Sequence, residues 1–253
     1  MRIVGINMQG SNVGTGQSKF VGVISQFFLD RRVAADIVCI QEAGPSPPTG
    51  GSFTAYNPAN YPPWLAGVAP PPAALMFIGS WAVGREPLIV KVFWLQTDPG
   101  GNRCNLCICI RDSIETPHLI YIPAAGAAAS RGAIGFEVRL TGGAIRRIYT
   151  LHALSGGGAD APALMAGISV APLVPGAAAA PPWIAVGDYN RAPSAAAWPV
   201  PPPGTICPPN AATLPSHDSK LDYAICSPGL GPATVIVQPA GSVSDHQYIV
   251  CDV

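Results

Sequence analysis

The sequence predicts a mixed α/β protein built mainly from short β-strands, with two helices placed among them. Short apolar runs bounded by turn residues recur along almost the whole chain, which indicates a meander of strands. Two other segments carry a helical pattern of apolar residues or a helix-start signal. A chain of 253 residues is long enough for one large core, and β-rich sandwiches of this size commonly form a single domain. We therefore expect one domain over residues 1–253.

The N-terminal part has the pattern strand, helix, strand. Residues 3–6 form an apolar run, and residues 36–40 form a second one that ends in Gln41 and Glu42. Between them, residues 19–32 place five apolar side chains at helical spacing: Phe20, Val23, Ile24, Phe27 and Phe28. Glu42 is therefore expected at the mouth of a buried strand, although a lone glutamate at such a place is often only solvated.

The rest of the chain is predicted to alternate strands with turns and loops. Residues 45–72 read as a long irregular loop because they are rich in Pro, Gly and Ala, with Trp64 packing it against the body. A second helix is expected over residues 160–170, since Asp160 can cap it and Pro162 suits its first turn. Residues 171–182 and 198–210 read as connectors. The remaining strands are predicted at 75–79, 88–95, 104–110, 119–122, 135–140, 146–151, 183–186, 221–225 and 243–249.

Two turn signals separate neighbouring strands in this series. Residues 98–101 read Asp-Pro-Gly-Gly, and residues 141–143 read Thr-Gly-Gly. Glycine pairs of this kind are typical of tight β-hairpin connections. The second signal therefore predicts a hairpin between the strands at 135–140 and 146–151.

Composition excludes several classes of protein. Hydrophobic residues make up 49% and charged residues only 11% of the chain, which argues against a disordered tail. The formal net charge is zero, so no global positive field attracts nucleic acid, and any phosphate substrate must be met by local arginines. No apolar run reaches the length of a membrane helix, so no membrane span is expected. Residues 1–7 read as a strand and not as a signal peptide.

The seven cysteines give no clear disulfide framework. Cys104, Cys107 and Cys109 lie in a strand-like run, where they read best as small buried hydrophobic residues. Cys251 lies near the C-terminus. It could be a buried strand residue, or it could form a disulfide with another subunit.

Residues 183–193 contain the most informative stretch. An apolar run from Trp183 to Val186 is followed by Gly187, Asp188 and Asn190. On an extended backbone, side chains two positions apart point to the same face. The side chains of Asp188 and Asn190 are therefore expected on one face. They would offer a carboxylate and an amide to one metal ion or phosphate. The alternative is an Asx turn that caps the following segment.

Further polar residues lie at strand boundaries in this charge-poor chain. A lone histidine there is more often a satisfied core or cap residue, but here two histidines and several acids share the pattern. Oxygen ligands favour a hard divalent ion, and Mg²⁺ is the ion expected here. Paired His and Asp residues suit general acid and base chemistry. His118 and His217 lack such company and read as surface residues. The boundary residues are Asn7, Glu42, His152, Asp188, Asn190, Asp222, Asp245 and His246.

Seven motifs together make the sequence resemble a known family, the catalytic subunits of cytolethal distending toxins. These subunits belong to the group that resembles deoxyribonuclease I, with the endonuclease/exonuclease/phosphatase fold. The resemblance covers nearly the whole chain. The motifs are IVGINMQG at 3–10, DIVCIQEAG at 36–44, NRCNL at 102–106, TLHAL at 150–154, GDYNRAP at 187–193, LDYAI at 221–225 and SDH at 244–246.

The resemblance implies a four-layer sandwich of two packed mixed β-sheets flanked by helices, with a metal-dependent phosphodiesterase site at the strand ends. It implies a role for each boundary residue. His152 and His246 would form the acid and base pair, with Asp222 behind His246.

The same resemblance implies roles for the remaining site residues. Glu42 would hold the metal with Asn7 close by, and Arg103, Arg131 and Asn190 would contact the phosphate. Asp188 and Asn190 would face the metal or the attacking water, with Asp245 beside them.

Arg103 distinguishes two branches of this family. The pancreatic-type nuclease has an acid at that position, which orients the first histidine, so His152 is expected to lack this partner. The chain departs from the toxin pattern at Ile6, which stands in place of a tryptophan, at Tyr189, which stands in place of a phenylalanine, and in having no secretion signal. None of these changes removes a catalytic group.

The resemblance implies a magnesium-dependent deoxyribonuclease that acts on host DNA. Its partners would be the delivery subunits of a toxin. The protein would be secreted and would act in the host cell nucleus. Two alternatives stay open: a phosphoinositide phosphatase that uses the same site, which the neutral net charge favours, and a binding module that keeps the fold without its chemistry.

Overall fold

The computed structural model describes residues 1–10, 18–57, 59–60, 62–65, 75–84, 88–98, 100, 103–124, 131–173, 179–240 and 244–253. Within these ranges, the helical segments are a π-helical turn at Phe20–Ile24, α1 at Ser25–Leu29, α2 at Ala161–Ser169, and 3₁₀ turns at Ala195–Ala197 and Pro215–His217. The strands are β1 Arg2–Asn7, β2 Ile37–Gln41, β3 Ser52–Ala55, β4 Met76–Val83, β5 Leu88–Leu95, β6 Leu106–Arg111, β7 Leu119–Ile122, β8 Ala133–Arg139, β9 Ile145–His152, β10 Trp183–Asp188, β11 Thr205–Cys207, β12 Asp222–Cys226, β13 Thr234–Gln238 and β14 Tyr248–Asp252.

The described strands form two mixed sheets. The first has the order β13-β14-β1-β2-β6-β5-β4-β3, and the second has the order β11-β12-β10-β9-β8-β7. Each sheet has one central parallel pair, β1 with β2 and β9 with β10, while the other pairs are antiparallel. The central strands are buried on both faces, which explains why they read as continuous apolar runs.

Three hydrophobic clusters define the layers. One lies between the sheets and contains Ile3 and Ile184. A second joins the segment around Phe20 to the outer face of the first sheet, and a third joins α2, through Leu164, to the outer face of the second. The predicted arrangement of two packed mixed sheets with helices outside is therefore confirmed.

One buried polar contact ties the two sheets together near the site. Gln41 at the end of β2 donates its side-chain amide to Thr150 Oγ1 on β9 at 2.7 Å. Both residues are fully buried, so this hydrogen bond is made in a low-dielectric interior, where its loss leaves polar atoms unpaired. The contact fixes the ends of β2 and β9 relative to each other.

Several predicted boundaries were wrong. The predicted loops at 45–72 and 198–210 contain strands β3 and β11, and β13 was not predicted. The first helix ends at Leu29 and not at residue 32. The last strand is Tyr248–Asp252, whereas the prediction was 243–249, of which Val243 lies outside the described residues. The predicted turn at 98–101 also falls partly outside them. The predicted hairpin between β8 and β9 is confirmed.

Two predicted side-chain roles were also wrong. Asp160 precedes α2 but does not cap it, because its Oδ1 accepts a hydrogen bond from the Leu154 N–H at 2.8 Å. His118 is not a free surface residue, since its Nδ1 lies 2.8 Å from Oε2 of the buried Glu137. His217 is exposed, as expected.

The cysteines are free thiols in the structure. Cys107 and Cys109 are buried in β6, and Cys251 is fully buried in β14, which matches their reading as small hydrophobic residues. Cys104 differs because it is only half-buried. Among the described residues, no helix is both long and apolar enough to cross a membrane. The expectation of a single domain over residues 1–253 stays a prediction.

Candidate active site

The ends of the central strands bring the predicted residues together. Asp188 ends β10, and its backbone is in register with His152 on β9 and with Asp222 on β12. Asn7 ends β1 in register with Gln41 on β2, directly before Glu42. The parallel strand pairs of the two sheets end at the same edge of the sandwich. The polar side chains at these strand ends therefore lie close together.

A cleft of about 270 Å³ opens at this edge. It is lined by most of the predicted site residues and by two that were not predicted, Cys104 and Ser155. Asp222 lies behind the wall with 1% of its surface exposed, and Asp245 lies at the rim, its side chain 49% exposed. The lining residues are Asn7, Glu42, Arg103, Cys104, Arg131, His152, Ser155, Asp188, Asn190 and His246.

Two backbone bends turn side chains into the cleft. Glu42 follows β2 with φ +49°, and Asn190 follows β10 with the same value. Left-handed backbone of this kind is unfavourable for a glutamate and easier for an asparagine. Such local strain is typical of functional sites, where the surrounding fold maintains it.

Gly187 allows β9 and β10 to approach closely beside the cleft. A Cβ at this position would lie 2.2 Å from the Leu151 carbonyl oxygen. Only glycine avoids this overlap with a neighbouring backbone. Gly187 therefore sets the spacing between the strands that carry His152 and Asp188.

Residues of the two sheets contact each other across the cleft. Asn7 of the first sheet donates its amide to Asp188 Oδ2 of the second at 3.0 Å, and more weakly to Glu42 Oε1 at 3.4 Å. His246, just before β14 of the first sheet, places Nδ1 2.7 Å from Asp222 Oδ2 of the second. The site is therefore shared between the sheets, and neither sheet holds all of it.

Asn7 is turned away from the role of an oxygen ligand. Its Oδ1 accepts a hydrogen bond from the Gln9 N–H at 3.0 Å, while its NH₂ group faces the two carboxylates. Its predicted place beside the metal thus stays a prediction, and in this structure it is a donor that bridges Glu42 and Asp188.

Glu42 is shared between an arginine and a histidine. Arg103 donates from Nε to Glu42 Oε2 at 2.5 Å, and Glu42 Oε1 lies 3.9 Å from His152 Nε2. The glutamate side chain is 11% exposed and the arginine side chain 57% exposed, so the arginine reaches in from the rim. Oε2 is thus held by the arginine, whereas Oε1 receives the weaker Asn7 hydrogen bond and lies on the side of His152.

The two histidines are held in opposite charge states. Burial alone lowers the pKa of His246, but the hydrogen bond to Asp222 and the nearby negative charges outweigh burial and raise it to about 9. Burial lowers the pKa of His152 to about 3, assisted by the positive charges of Arg131, His246 and Arg103. At neutral pH the cleft therefore contains one imidazolium and one neutral imidazole.

Asp188 is the carboxyl group whose ionisation is most affected by the site. Burial, followed by the negative charge of Asp222, raises the pKa of Asp188 to about 7. The positive charge of His246 and hydrogen bonds from Asn190 and Asn7 act in the opposite direction. A carboxyl group whose pKa is close to the working pH can accept a proton during a reaction at neutral pH.

Two nitrogen atoms in this region are buried without a hydrogen-bond partner among the described residues. His152 Nδ1 is one of them, which confirms, for the described part of the chain, that no acid is hydrogen-bonded to this nitrogen. Arg131 Nη1 is the other, and it belongs to a residue that lines the cleft. A buried donor without a partner is costly unless a ligand completes it.

The residues around the cleft are fixed by further contacts. Asn190 donates its amide to Ala153 O at 2.9 Å, which ties the loop after β10 to the loop after β9. Ser244 donates to Asn7 O at 2.7 Å and accepts from the His246 N–H at 3.1 Å. Lys19, a further residue that was not predicted, donates to Met8 O at 2.5 Å beside the cleft.

The donor set fits a hard divalent cation. Mg²⁺ prefers carboxylate oxygens and commonly uses one or two of them together with substrate phosphate. Glu42 offers an oxygen that Arg103 does not engage, and Asp188 lies on the opposite side of the Asn7 amide. Glu42 would therefore hold the ion, with Asp188 nearby.

Comparison with protein-family models gives the decisive match. The model described as the Endonuclease/Exonuclease/phosphatase family matches residues 7–246, which is nearly the whole chain. This chain belongs to the endonuclease/exonuclease/phosphatase family. A comparison with curated protein sequences gave no match.

Solved structures show the same fold for this member of the endonuclease/exonuclease/phosphatase family. The Haemophilus ducreyi cytolethal distending toxin is 24% identical, with a TM-score of 0.73 over 99% of this chain and 96% of that one. The toxin from Actinobacillus actinomycetemcomitans is 23% identical, with a TM-score of 0.73 over 99% and 97%. D. rerio TDP2 in complex with single-strand DNA product is 15% identical, with a TM-score of 0.59 over 99% and 97%.

Proposed function

We propose that this chain is a magnesium-dependent deoxyribonuclease that hydrolyses phosphodiester bonds in DNA. One observation carries the proposal: His246, held by Asp222 at 2.7 Å, shares a single cleft with His152 and Glu42. A proton donor, a carboxylate for a cation and arginines for phosphate are the groups that phosphodiester hydrolysis needs. Membership of the family supports the same reaction class.

Arg103 and Arg131 bind the phosphate in this proposal. Both line the cleft, and Arg131 has a buried Nη1 that lacks a partner among the described residues. A guanidinium group forms strong charge-assisted hydrogen bonds to phosphate oxygens. These side chains therefore bind the substrate locally, which a chain of zero net charge requires.

His246 donates a proton to the leaving oxygen. It is positively charged at neutral pH because Asp222 holds the proton on its ring. Nδ1 faces Asp222, which leaves the Nε2 proton for the substrate side. Asp245, 3.9 Å from Nε2 at the rim, adds negative charge that keeps the ring protonated.

Asp188, Asn190 and His152 form the side that receives the attacking water. Asp188 Oδ2 lies 3.7 Å from His152 Nε2, so one water molecule can contact both groups. Asp188, with a pKa near 7, accepts the proton from that water, while the neutral His152 orients it. Asn190 is fixed by its bonds to Asp188 Oδ1 and Ala153 O.

The metal ion adds one function to this set. When bound at Glu42, Mg²⁺ neutralises the charge that develops on the phosphate. The residues of the chain perform the remaining functions of binding, orientation and proton transfer. Arg103 keeps the Glu42 carboxylate turned toward the cleft through its bond to Oε2.

Nicking of supercoiled plasmid tests this proposal. His152→Ala and His246→Ala should each reduce nicking in Mg²⁺ by roughly 100-fold or more, because each removes a group that acts in the transition state. His217→Ala is a matched control, since His217 is exposed and is not among the residues that line the cleft. Full nicking by both site variants with an intact fold would overturn the proposal.

Phosphoinositide phosphatase activity is the second candidate function. The zero net charge favours it, because DNA binding usually gains from a positive protein surface. Parallel assays on plasmid and on a soluble phosphoinositide, with His246→Ala as the common control, separate the two activities. Hydrolysis of neither substrate would instead favour a binding module without chemistry.

We further propose that the chain acts as a toxin subunit that delivery subunits carry to the host cell nucleus. Likeness in fold to the cytolethal distending toxin structures supports this role. The test is to introduce purified protein directly into cultured cells and to count nuclear DNA-damage foci. Foci should appear in cells that receive the parent protein and should be absent in cells that receive His246→Ala. Equal numbers of foci with the parent protein and with the variant would contradict the role.

A further inference from the structure

A second type of metal site overlaps the cleft. Glu42, Cys104 and His152 each place a ligand atom so that all three lie within 4.8 Å of one another. We propose that these three residues bind a zinc-class ion and that this ion inhibits the enzyme. The inhibitory part of this inference rests on the proposed function, while the binding part does not.

The donor set distinguishes this site from the magnesium site. A thiolate, an imidazole and a carboxylate are the ligands that Zn²⁺ takes in proteins, whereas Mg²⁺ strongly prefers oxygen. Glu42 is the one member that both ions would use. Cys104 supplies the soft ligand that changes the preference of the cleft toward zinc.

The distances suit a four-coordinate ion. Metal–ligand lengths near 2.0 Å for oxygen and nitrogen and near 2.3 Å for sulfur give ligand separations of roughly 3.3 to 3.5 Å in a tetrahedron with one sulfur ligand. Glu42 Oε1 and His152 Nε2 are 3.9 Å apart, which small side-chain movements can close. Three protein ligands leave the fourth position for water or a phosphate oxygen.

The partners of these residues leave them available to an ion. Arg103 engages Oε2 of Glu42, while Oε1 accepts the long 3.4 Å hydrogen bond from the Asn7 amide, which an ion at Oε1 would displace. His152 Nδ1 has no hydrogen-bond partner in the described part of the chain, so a movement of the ring breaks no bond at that atom. Cys104 is half-buried, whereas the other six cysteines are buried.

Two arginines oppose a cation at this place. Arg103 contacts Glu42 directly, and Arg131 lines the same cleft. Their positive charges lower the affinity for any metal, so Zn²⁺ needs its thiolate bond to compete. Cys104 is therefore the residue on which zinc binding should depend most.

Occupation by zinc would block hydrolysis. Zinc at this position binds the Glu42 oxygen that the magnesium ion needs and the imidazole that orients the attacking water. Inhibition should therefore appear at zinc concentrations far below the Mg²⁺ concentration in the assay.

Cobalt spectroscopy tests the binding directly. Co²⁺ replaces Zn²⁺ in tetrahedral sites and gives a thiolate-to-cobalt absorption band in the near ultraviolet. Metal-free protein titrated with Co²⁺ should develop this band with one equivalent, and added Zn²⁺ should remove it. Cys104→Ser and Cys104→Ala should lose the band and bind zinc more than about 100-fold more weakly, since even outer-shell partners commonly contribute 10- to 100-fold.

His246→Gln is the control that separates the two proposals. It leaves Glu42, Cys104 and His152 in place, so it should keep the cobalt band even though the proposed hydrolysis is lost. Absence of the band in the parent protein, or its persistence in both Cys104 variants, would overturn the zinc site. Circular dichroism of each variant shows that the fold is kept.

The activity measurement follows from the binding result. Zn²⁺ should inhibit plasmid nicking by the parent protein in excess Mg²⁺, and Cys104→Ser should need at least about tenfold more zinc for the same fractional inhibition. Equal sensitivity of both proteins would show that zinc inhibits without Cys104. If the parent hydrolyses no substrate, the cobalt band still decides the binding site.

Discussion

Asp222 Oδ2 lies 2.7 Å from His246 Nδ1, and both residues are buried. This pair sets the pH range in which the imidazole can give a proton, because the carboxylate raises the pKa of His246 to about 9. The proton is held below that pH and lost above it. Activity that uses this proton should therefore fall as the pH rises through about 9.

Asp222→Asn should move the alkaline limb of activity toward pH 6.5, the ordinary value for histidine. The amide keeps the shape of the side chain but removes the charge that retains the proton. At pH 8 we expect a loss of about 10- to 100-fold relative to the parent protein. A pH profile of kcat on an oligonucleotide substrate measures this, with the exposed Asp218→Asn as control. An unchanged limb would contradict the role of the pair.

Glu42→Gln should raise the Mg²⁺ concentration needed for half-maximal activity by at least about tenfold. The amide offers a neutral oxygen where the ion prefers a carboxylate, and it loses the ion pair with Arg103. Glu115→Gln is a matched control because Glu115 is an exposed acid that also pairs with an arginine, Arg139, at 2.9 Å. The measurement is a Mg²⁺ titration of plasmid nicking. A similar change in both variants would rule out a specific metal role for Glu42.

His152 should make the folded state sensitive to acid. Its pKa is about 3 in the folded chain and about 6.5 ordinarily, so between these values only the unfolded chain binds the proton. Stability therefore falls as the pH drops from 6.5 toward 3, by about 1.4 kcal/mol per pH unit from this group. This contribution is absent above pH 6.5.

His152→Gln should remove this dependence. Urea unfolding at pH 7 and pH 4.5 should show a smaller decrease in free energy for the variant than for the parent protein. His217→Gln should behave like the parent, since His217 is exposed. An equal decrease in the parent and in His152→Gln would show that His152 is not held neutral.

Gly187→Ala should destabilise the protein and impair the site together. The added Cβ would lie 2.2 Å from the Leu151 carbonyl oxygen and would force β9 and β10 apart. We expect a loss of roughly 1 to 3 kcal/mol in the free energy of unfolding, together with reduced nicking. Gly229→Ala is the control, because nothing lies within 4 Å of its Cβ position. Thermal unfolding and plasmid nicking measure the two effects.

The central strands were predictable because burial on both faces gives uninterrupted apolar runs, as in β2 and β10. The edge strands were not, since β3 is largely exposed and β11 has only three residues. Their pairing depends on neighbours far away in the sequence. Local pattern carries little of that information.

The site residues were likewise predictable only in part. Asp188 and His152 could be placed at strand ends from the apolar runs before them. The lack of an acid at His152 Nδ1 among the described residues followed from Arg103. Cys104 and Ser155 could not be placed, because their position in the cleft depends on how separate loops pack. The bond between Arg103 and Glu42 likewise joins residues 61 positions apart.

Because the chemistry is divided between the sheets, activity reports on how they dock. Asn7 with Asp188, and His246 with Asp222, are contacts between the two halves of the sandwich. A sliding movement of about 1 Å between the sheets would break both contacts while every strand kept its own ladder. On gradual heating, the enzyme should lose activity before its backbone unfolds. Catalytic activity is therefore a more sensitive measure of how the sheets dock than secondary-structure content is.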